Sequence, residues 1–126
     1  MNIPNNLKFT ETHEWLRIEG DEAYVGITEF AATALGDIVF IEIETEGEEL
    51  AKGETYGTIE AVKTVSDSYM PIGGTVIEVN QDILDDPALV NKDCYGKGWL
   101  IKIKISNPAE ANALLDAAAY TEIAKD

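Results

Sequence analysis

The sequence predicts a mainly β fold, a sandwich or barrel of short antiparallel strands with short helices and a C-terminal helix. Three observations carry this. Apolar residues alternate with period two along most of the chain, glycines such as Gly20, Gly36, Gly53 and Gly74 interrupt those runs, and the pattern turns helical from Asn107 onward. At 126 residues the chain is expected to form one unit, 1–126, with a core over about 7–106 and a helical segment over about 107–124.

In chain order, residues 15–18 and 24–27 read as half-buried strands. Residues 28–35 read as a short helix: Thr28 can cap it, Glu29 suits its first turn, and Gly36 stops it. Over 37–44, Val39, Ile41 and Ile43 oppose Ile38, Phe40, Glu42 and Glu44, a strand expected to be covered on both faces at its start. A further strand is expected over 75–79 and a short helix over 81–85, ended by Pro87. Over 98–105, Trp99, Ile101, Ile103 and Ile105 share one face, while Lys102 and Lys104 share the other with Leu100. Beyond it Asn107 caps, Pro108 suits a first helical position, and Ala111, Leu114 and Leu115 form an apolar stripe. The stretch from Ala117 could prolong that helix, with Tyr120 and Ile123 packing on the sheet, or Asp116 could begin a second one.

Charge narrows the partners. With 24 acidic against 9 basic side chains the net charge is −15, which repels nucleic-acid phosphates and anionic membranes and favours proteins with basic docking patches. No apolar run approaches the roughly 18 residues needed to span a bilayer. Cys94 is the only cysteine, so no intrachain disulfide and no Cys-rich metal site can form. The first residues carry neither an apolar signal core nor an Arg-rich transit pattern, which points to a cytoplasmic protein, with a mature organellar one as the alternative.

The informative segment is Thr58-Ile59-Glu60-Ala61-Val62-Lys63-Thr64-Val65-Ser66-Asp67-Ser68-Tyr69. Two strand-like halves flank one lysine. Paired as a hairpin they would display Lys63 at the turn, where an enzyme could reach its amine. A long acyl arm there, with about ten rotatable bonds, has a reach on the order of 10 to 15 Å at bond lengths near 1.5 Å. Tethering holds the arm's end at millimolar-scale effective concentration near whatever its carrier docks on. Alone, however, a lysine in a hairpin turn is simply solvated.

Other residues invite duller readings. His13 is the sole histidine and has no evident nucleophile to serve, so packing or hydrogen bonding beside Trp15 is expected. Asp93 beside Cys94 would raise its pKa and leave the thiol inert. The glutamates from Glu42 to Glu49 lack an EF-hand's loop spacing and read as a solvated face.

An ordered series of motifs makes Lys63 more than a turn lysine. Thr12-His13-Glu14-Trp15, Gly26-Ile27-Thr28, Leu35-Gly36-Asp37-Ile38-Val39-Phe40, Glu60-x-x-Lys63, Pro71, Pro87-x-Leu89-Val90-Asn91, Tyr95-x-x-Gly98-Trp99 and Leu114-Leu115 follow one another over roughly 7–120. In this series the chain resembles the H proteins of the glycine cleavage system. The resemblance implies a lipoyl-domain-like sandwich/barrel hybrid and lipoic acid held covalently on Lys63. It implies that the arm takes an aminomethyl group from a pyridoxal-phosphate-dependent glycine decarboxylase (P protein) and presents it to a tetrahydrofolate-dependent aminomethyltransferase (T protein). Dihydrolipoamide dehydrogenase (L protein) then reoxidises the arm. A non-catalytic, monomeric carrier is implied. So is a surface cleft that shields the loaded arm, to which Thr12, Glu14 and Asp67 are assigned. Glu60, Asp67, Gly47 and Gly74 match positions read by lipoate-attaching enzymes. Two departures bear on cleft contacts: Ala34 stands where a histidine often lies, and Gly73 replaces a common serine.

Three other functions compete. A biotin carrier usually has methionines flanking its lysine, where Val62 and Thr64 stand here. A lipoyl carrier serving other complexes, or handing its lipoyl group on to them, is compatible with the same motifs. A plain interaction protein would not depend on Lys63.

Overall fold

The computed structural model describes residues 1–125, so Asp126, the end of the expected 1–126 unit, lies outside it. Its strands are β1 (Lys8–Phe9), β2 (Glu14–Glu19), β3 (Glu22–Ile27), β4 (Ile38–Glu42), β5 (Glu49–Leu50), β6 (Thr55–Ala61), β7 (Val65–Tyr69), β8 (Gly74–Val79) and β9 (Ile101–Ile105). The helices are α1 (Glu29–Leu35), α2 (Gln81–Asp85), α3 (Ala88–Lys92), α4 (Ala117–Ile123) and a 3₁₀ helix over Pro108–Ala113. A six-stranded sheet has the order β1-β2-β3-β9-β8-β5 and a three-stranded sheet the order β4-β6-β7, with every pair antiparallel. Neither order closes on itself, so of the expected sandwich/barrel hybrid no closed barrel forms.

Both sheets feed one core. Leu16, Val25, Val76, Ile101 and Ile103 from the larger meet Ile38, Ile41, Tyr56 and Ile59 from the smaller. A second cluster gathers Leu7, Phe9, Trp15, Tyr120 and Ala124, where α4 covers the end of the larger sheet. Here the Tyr120 ring stacks on Phe9 at 4.7 Å, and Trp15 Nε1 donates to the Cys94 carbonyl at 2.9 Å. Gly26 is required by this packing, because a Cβ there would lie 2.7 Å from the Trp15 indole.

Several expectations change in detail. A bulge between Ile38 and Phe40 inserts Val39, so Ile38 and Ile41 turn inward while Val39 and Phe40 stay exposed. The expected two-faced burial at the start of 37–44 is therefore absent. Regular alternation in the last strand begins only at Ile101. Leu100, expected beside Lys102 and Lys104, is buried, because its N–H donates to the Val25 carbonyl as the chain enters the sheet. The short elements β1, β5 and α3 carry too little periodicity to be read from sequence. α1 forms as expected: Thr28 Oγ1 accepts from the Ala31 N–H, and Gly36 takes φ +79°.

The C-terminal segment over 107–124 is two helices rather than one. Asn107 caps the 3₁₀ helix, the chain then extends so that Leu115 bridges Phe9, and Asp116 caps α4 through the Ala119 N–H. Two leucines facing different clusters force that break. Tyr120 packs inward as expected, but Ile123 is exposed and Ala124 takes the buried place.

Candidate functional site

β6 and β7 pair in antiparallel register, with Thr58 opposite Asp67 and Glu60 opposite Val65. The strands stop at Ala61 and Val65, the Ala61 N–H donates to the Thr64 carbonyl, and Val62, Lys63 and Thr64 form the tip. Lys63 is exposed, and no carboxylate among the described residues pairs with its Nζ. The side chain crosses Gly36: a Cβ built there would sit 3.4 Å from Lys63 Cε and 3.8 Å from Nζ. The lysine stem thus runs past the corner next to Leu35, whose side lines a cleft.

That cleft, of about 170 Å³, has Ile27, Phe30, Ala34, Leu35 and Ile59 among its apolar lining and Thr12, His13, Glu14, Ser66, Asp67 and Ser68 among its polar lining. The structure therefore brings Thr12 and Glu14, from the turn leading into β2, together with the distant Asp67 on β7 at one site. Ala34 lines it too. Gly73 does not: it borders a separate cavity beside Glu49 and Lys52, where its N–H donates to Glu110 Oε1 at 2.9 Å.

Glu14 is almost fully buried. Its carboxylate accepts from the hydroxyls of Thr10 (2.8 Å) and Thr12, and its N–H donates to Thr10 Oγ1 at 3.0 Å. Burial raises its pKa above the ordinary 4.5, against the pull of those two hydroxyls. Nearby, the buried Tyr56 hydroxyl has no hydrogen-bond partner among the described residues, and burial first, then the charge of Glu14, raises its pKa.

His13 belongs to the cleft rather than to Trp15. It holds φ +71° in the turn before β2, stacks on Phe30 at 4.6 Å, and shares a hydrogen bond of 2.8 Å between Nδ1 and the Tyr120 hydroxyl. That hydroxyl lies 2.7 Å from Thr28 Oγ1, so α4 and the cap of α1 brace the imidazole from behind. Burial lowers the His13 pKa below 6.5, so the ring is mostly neutral at pH 7. Cys94 is buried and its thiol is pushed up to about 12, by burial before any acidic neighbour, which keeps it protonated.

The other expected positions scatter. Glu60 and Asp67 lie on β6 and β7 below the tip, but Gly47 and Gly74 sit at the β5–β8 edge of the larger sheet. Gly47 turns the chain at φ +89° and donates to the Val76 carbonyl, and Gly74 lies where a Cβ would meet the Lys104 carbonyl at 2.6 Å. Both glycines answer to backbone geometry there.

Asn91 is the supporting residue whose task the sequence hides. From α3 its Oδ1 accepts from the Ile38 N–H at 3.0 Å and its Nδ2 donates to the Gly36 carbonyl at 2.8 Å. The clamped corner in turn receives the hairpin tip, since the Val62 N–H donates to the Asp37 carbonyl at 3.0 Å. Asn91→Ala is expected to cost about 1 to 2 kcal/mol and to speed amide exchange at Val62 more than at core amides such as Ile103. Equal protection at Val62 in both proteins would separate Asn91 from the tip.

The glycine cleavage H-protein family model matches residues 7–126. The chain is 56% identical over 123 residues to the glycine cleavage system H protein of Bacteroides fragilis, covering 98% of each. Against the protein of the same name from Symbiobacterium thermophilum it is 50% identical over 125 residues, covering 99% of this chain and 98% of that one. Its fold matches the crystal structure of a glycine cleavage system H protein from Mycobacterium marinum with a TM-score of 0.87 at 40% identity, covering 95% of this chain and 97% of that one.

Proposed function

Because the chain belongs to the glycine cleavage H-protein family, the lipoyl carriers of the glycine cleavage system, we propose that it holds its lipoyl group on Lys63 and shuttles the aminomethyl group of glycine among that system's enzymes. One observation carries the choice of residue: Lys63 is an exposed primary amine at a hairpin tip, without an ion-pair partner among the described residues, and its stem passes Gly36 next to the cleft-lining Leu35. A primary amine suits the chemistry of attachment. Nζ, once deprotonated, forms an amide bond to an activated lipoyl carboxyl carbon as that carbon's bond to its leaving group breaks.

Lys63 would hold the lipoyl group, which when bound would supply a redox-active disulfide able to carry an aminomethyl group within reach of glycine decarboxylase, aminomethyltransferase and dihydrolipoamide dehydrogenase. This chain's residues do the rest. The apolar walls of Phe30, Ala34 and Leu35 exclude water from the arm's end. Glu14, with Thr10 and Thr12 donating to its carboxylate, holds the cationic amine of the cargo, and Asp67 adds a second carboxylate at the same cleft. His13, mostly uncharged at pH 7, adds little positive charge against that amine. With Ala34 in its wall, the cleft gains width there rather than a further polar contact.

The protein in this reading is one monomeric domain over 1–126, cytoplasmic, and without turnover of its own. Intact mass after treatment with a lipoate-attaching enzyme, followed by glycine–bicarbonate exchange with glycine decarboxylase, tests it. The expected result is one lipoyl addition, mapped to Lys63, and exchange well above the carrier-free control. A biotinyl adduct, or modified protein that supports no exchange, would overturn the assignment.

A further inference from the structure

The outer face of the β4-β6-β7 sheet leaves large apolar side chains in water at the same end as Lys63. Val39, Phe40, Val62 and Val65 are 51, 53, 75 and 60% exposed. Strand register places them in order: Phe40 on β4 lies opposite Glu60 on β6, and Glu60 opposite Val65 on β7. The next outward row is Glu42, Thr58 and Asp67. Between the rows lies a shallow hollow of about 140 Å³ lined by Phe40, Glu42, Thr58, Glu60 and Val65. The bulge at Val39 creates the exposure, since without the extra residue one of the pair Val39 and Phe40 would turn inward. Contiguous exposed apolar side chains rimmed by charge mark an interaction surface.

Charge and reach identify the occupant. The rim holds Glu42, Glu60 and Asp67, and the cation at its edge is Lys63 itself, so the complementary face is apolar with lysines or arginines around it. An enzyme acting on the far end of a lipoyl arm can work from on the order of 10 to 15 Å away. An enzyme that acylates Nζ must bring its reacting groups within about 6 Å of the hairpin backbone, the length of a lysine side chain. It therefore has to lie on the surface beside the tip. Resting on the carrier reading above, we infer that Phe40 and Val65, with their acidic rim, are the docking surface for the lipoate-attaching enzyme. Glu60 then acts within a two-row surface that includes β4, a strand outside the lysine hairpin.

The test compares the wild type, the double variant Phe40→Ser/Val65→Ser, and a control, Ile77→Ser, which removes an exposed apolar side chain on the other sheet. Each is first shown to fold by circular dichroism. Steady-state attachment is expected to show the KM for the double variant raised about 30-fold with kcat within about twofold, as for loss of two contact residues at an interface. Ile77→Ser is expected to match the wild type. Driven to full modification with excess enzyme, the double variant should support wild-type glycine–bicarbonate exchange. Unchanged attachment kinetics overturn the docking surface and leave the carrier role standing. So does sedimentation in which wild type pairs through this face while the double variant is monomeric and modified normally, which would assign the face to a second copy. A wild-type chain that gains no mass on Lys63 removes the carrier reading, and this inference with it.

Discussion

Lys63→Arg is expected to yield a folded protein that never gains the mass of a lipoyl group and supports no more glycine–bicarbonate exchange than a carrier-free control. Arginine keeps the positive charge and most of the stem, but its guanidinium stays protonated at any physiological pH and is not an acylation nucleophile. The position is solvent-exposed and makes no ion pair among the described residues, so stability should change by less than about 0.5 kcal/mol. Charge supplies a second readout. Amide formation removes one positive charge, so wild type should move from −15 to about −16 on modification, a step visible by native electrophoresis and absent in the variant. Exchange by Lys63→Arg above the control would remove this residue from the mechanism.

Glu14→Gln is expected to separate stability from cargo retention, moving them in opposite directions. Glu14 has its folded pKa raised by burial, so the native state binds its proton more tightly than the unfolded chain does. Its contribution to stability is therefore greatest at low pH and falls as pH rises from the ordinary 4.5 through the folded value. A neutral glutamine avoids that loss, and the Thr10 and Thr12 hydroxyls can rotate to accept from its amide. The variant's melting temperature should thus exceed that of wild type at pH 7, with the gap closing toward pH 4. Cargo retention should worsen at pH 7, because a cationic amine loses the carboxylate facing it. A loss of about 1.4 kcal/mol in that contact shortens the half-life of the loaded arm about tenfold. A loaded arm equally long-lived in both proteins would take Glu14 out of the cleft's role, whatever the melting curves do.

The same residue shows how far the sequence could be read. Glu14 was legible as part of Thr12-His13-Glu14-Trp15, and the structure sets its carboxylate at one cleft with Thr12 and Asp67. Thr10, which holds that carboxylate at 2.8 Å, lies outside that motif, although Thr10, Thr12 and Glu14 alternate along the same stretch. Adjacency in the chain places His13 beside Trp15. Its positive φ turns the ring instead toward Phe30 and Tyr120, and no periodicity reports a single left-handed residue. Asn91 ends the motif Pro87-x-Leu89-Val90-Asn91, but its task depends on Gly36 and Ile38, more than fifty positions earlier.

By itself the sequence determined the strand-rich class, the β6–β7 hairpin with Lys63 at its turn, the capped helix after Thr28, and a net charge that favours basic protein partners. These follow from local rules, side-chain period, capping and turn chemistry, which act within a few residues. Tertiary structure alone decided that the sheets stay open, that the C-terminal segment breaks between two apolar clusters, and that the bulge at Val39 turns Phe40 outward beside the lysine. Each depends on which distant surfaces meet in three dimensions, and that is settled by packing between elements rather than by the pattern within any one of them.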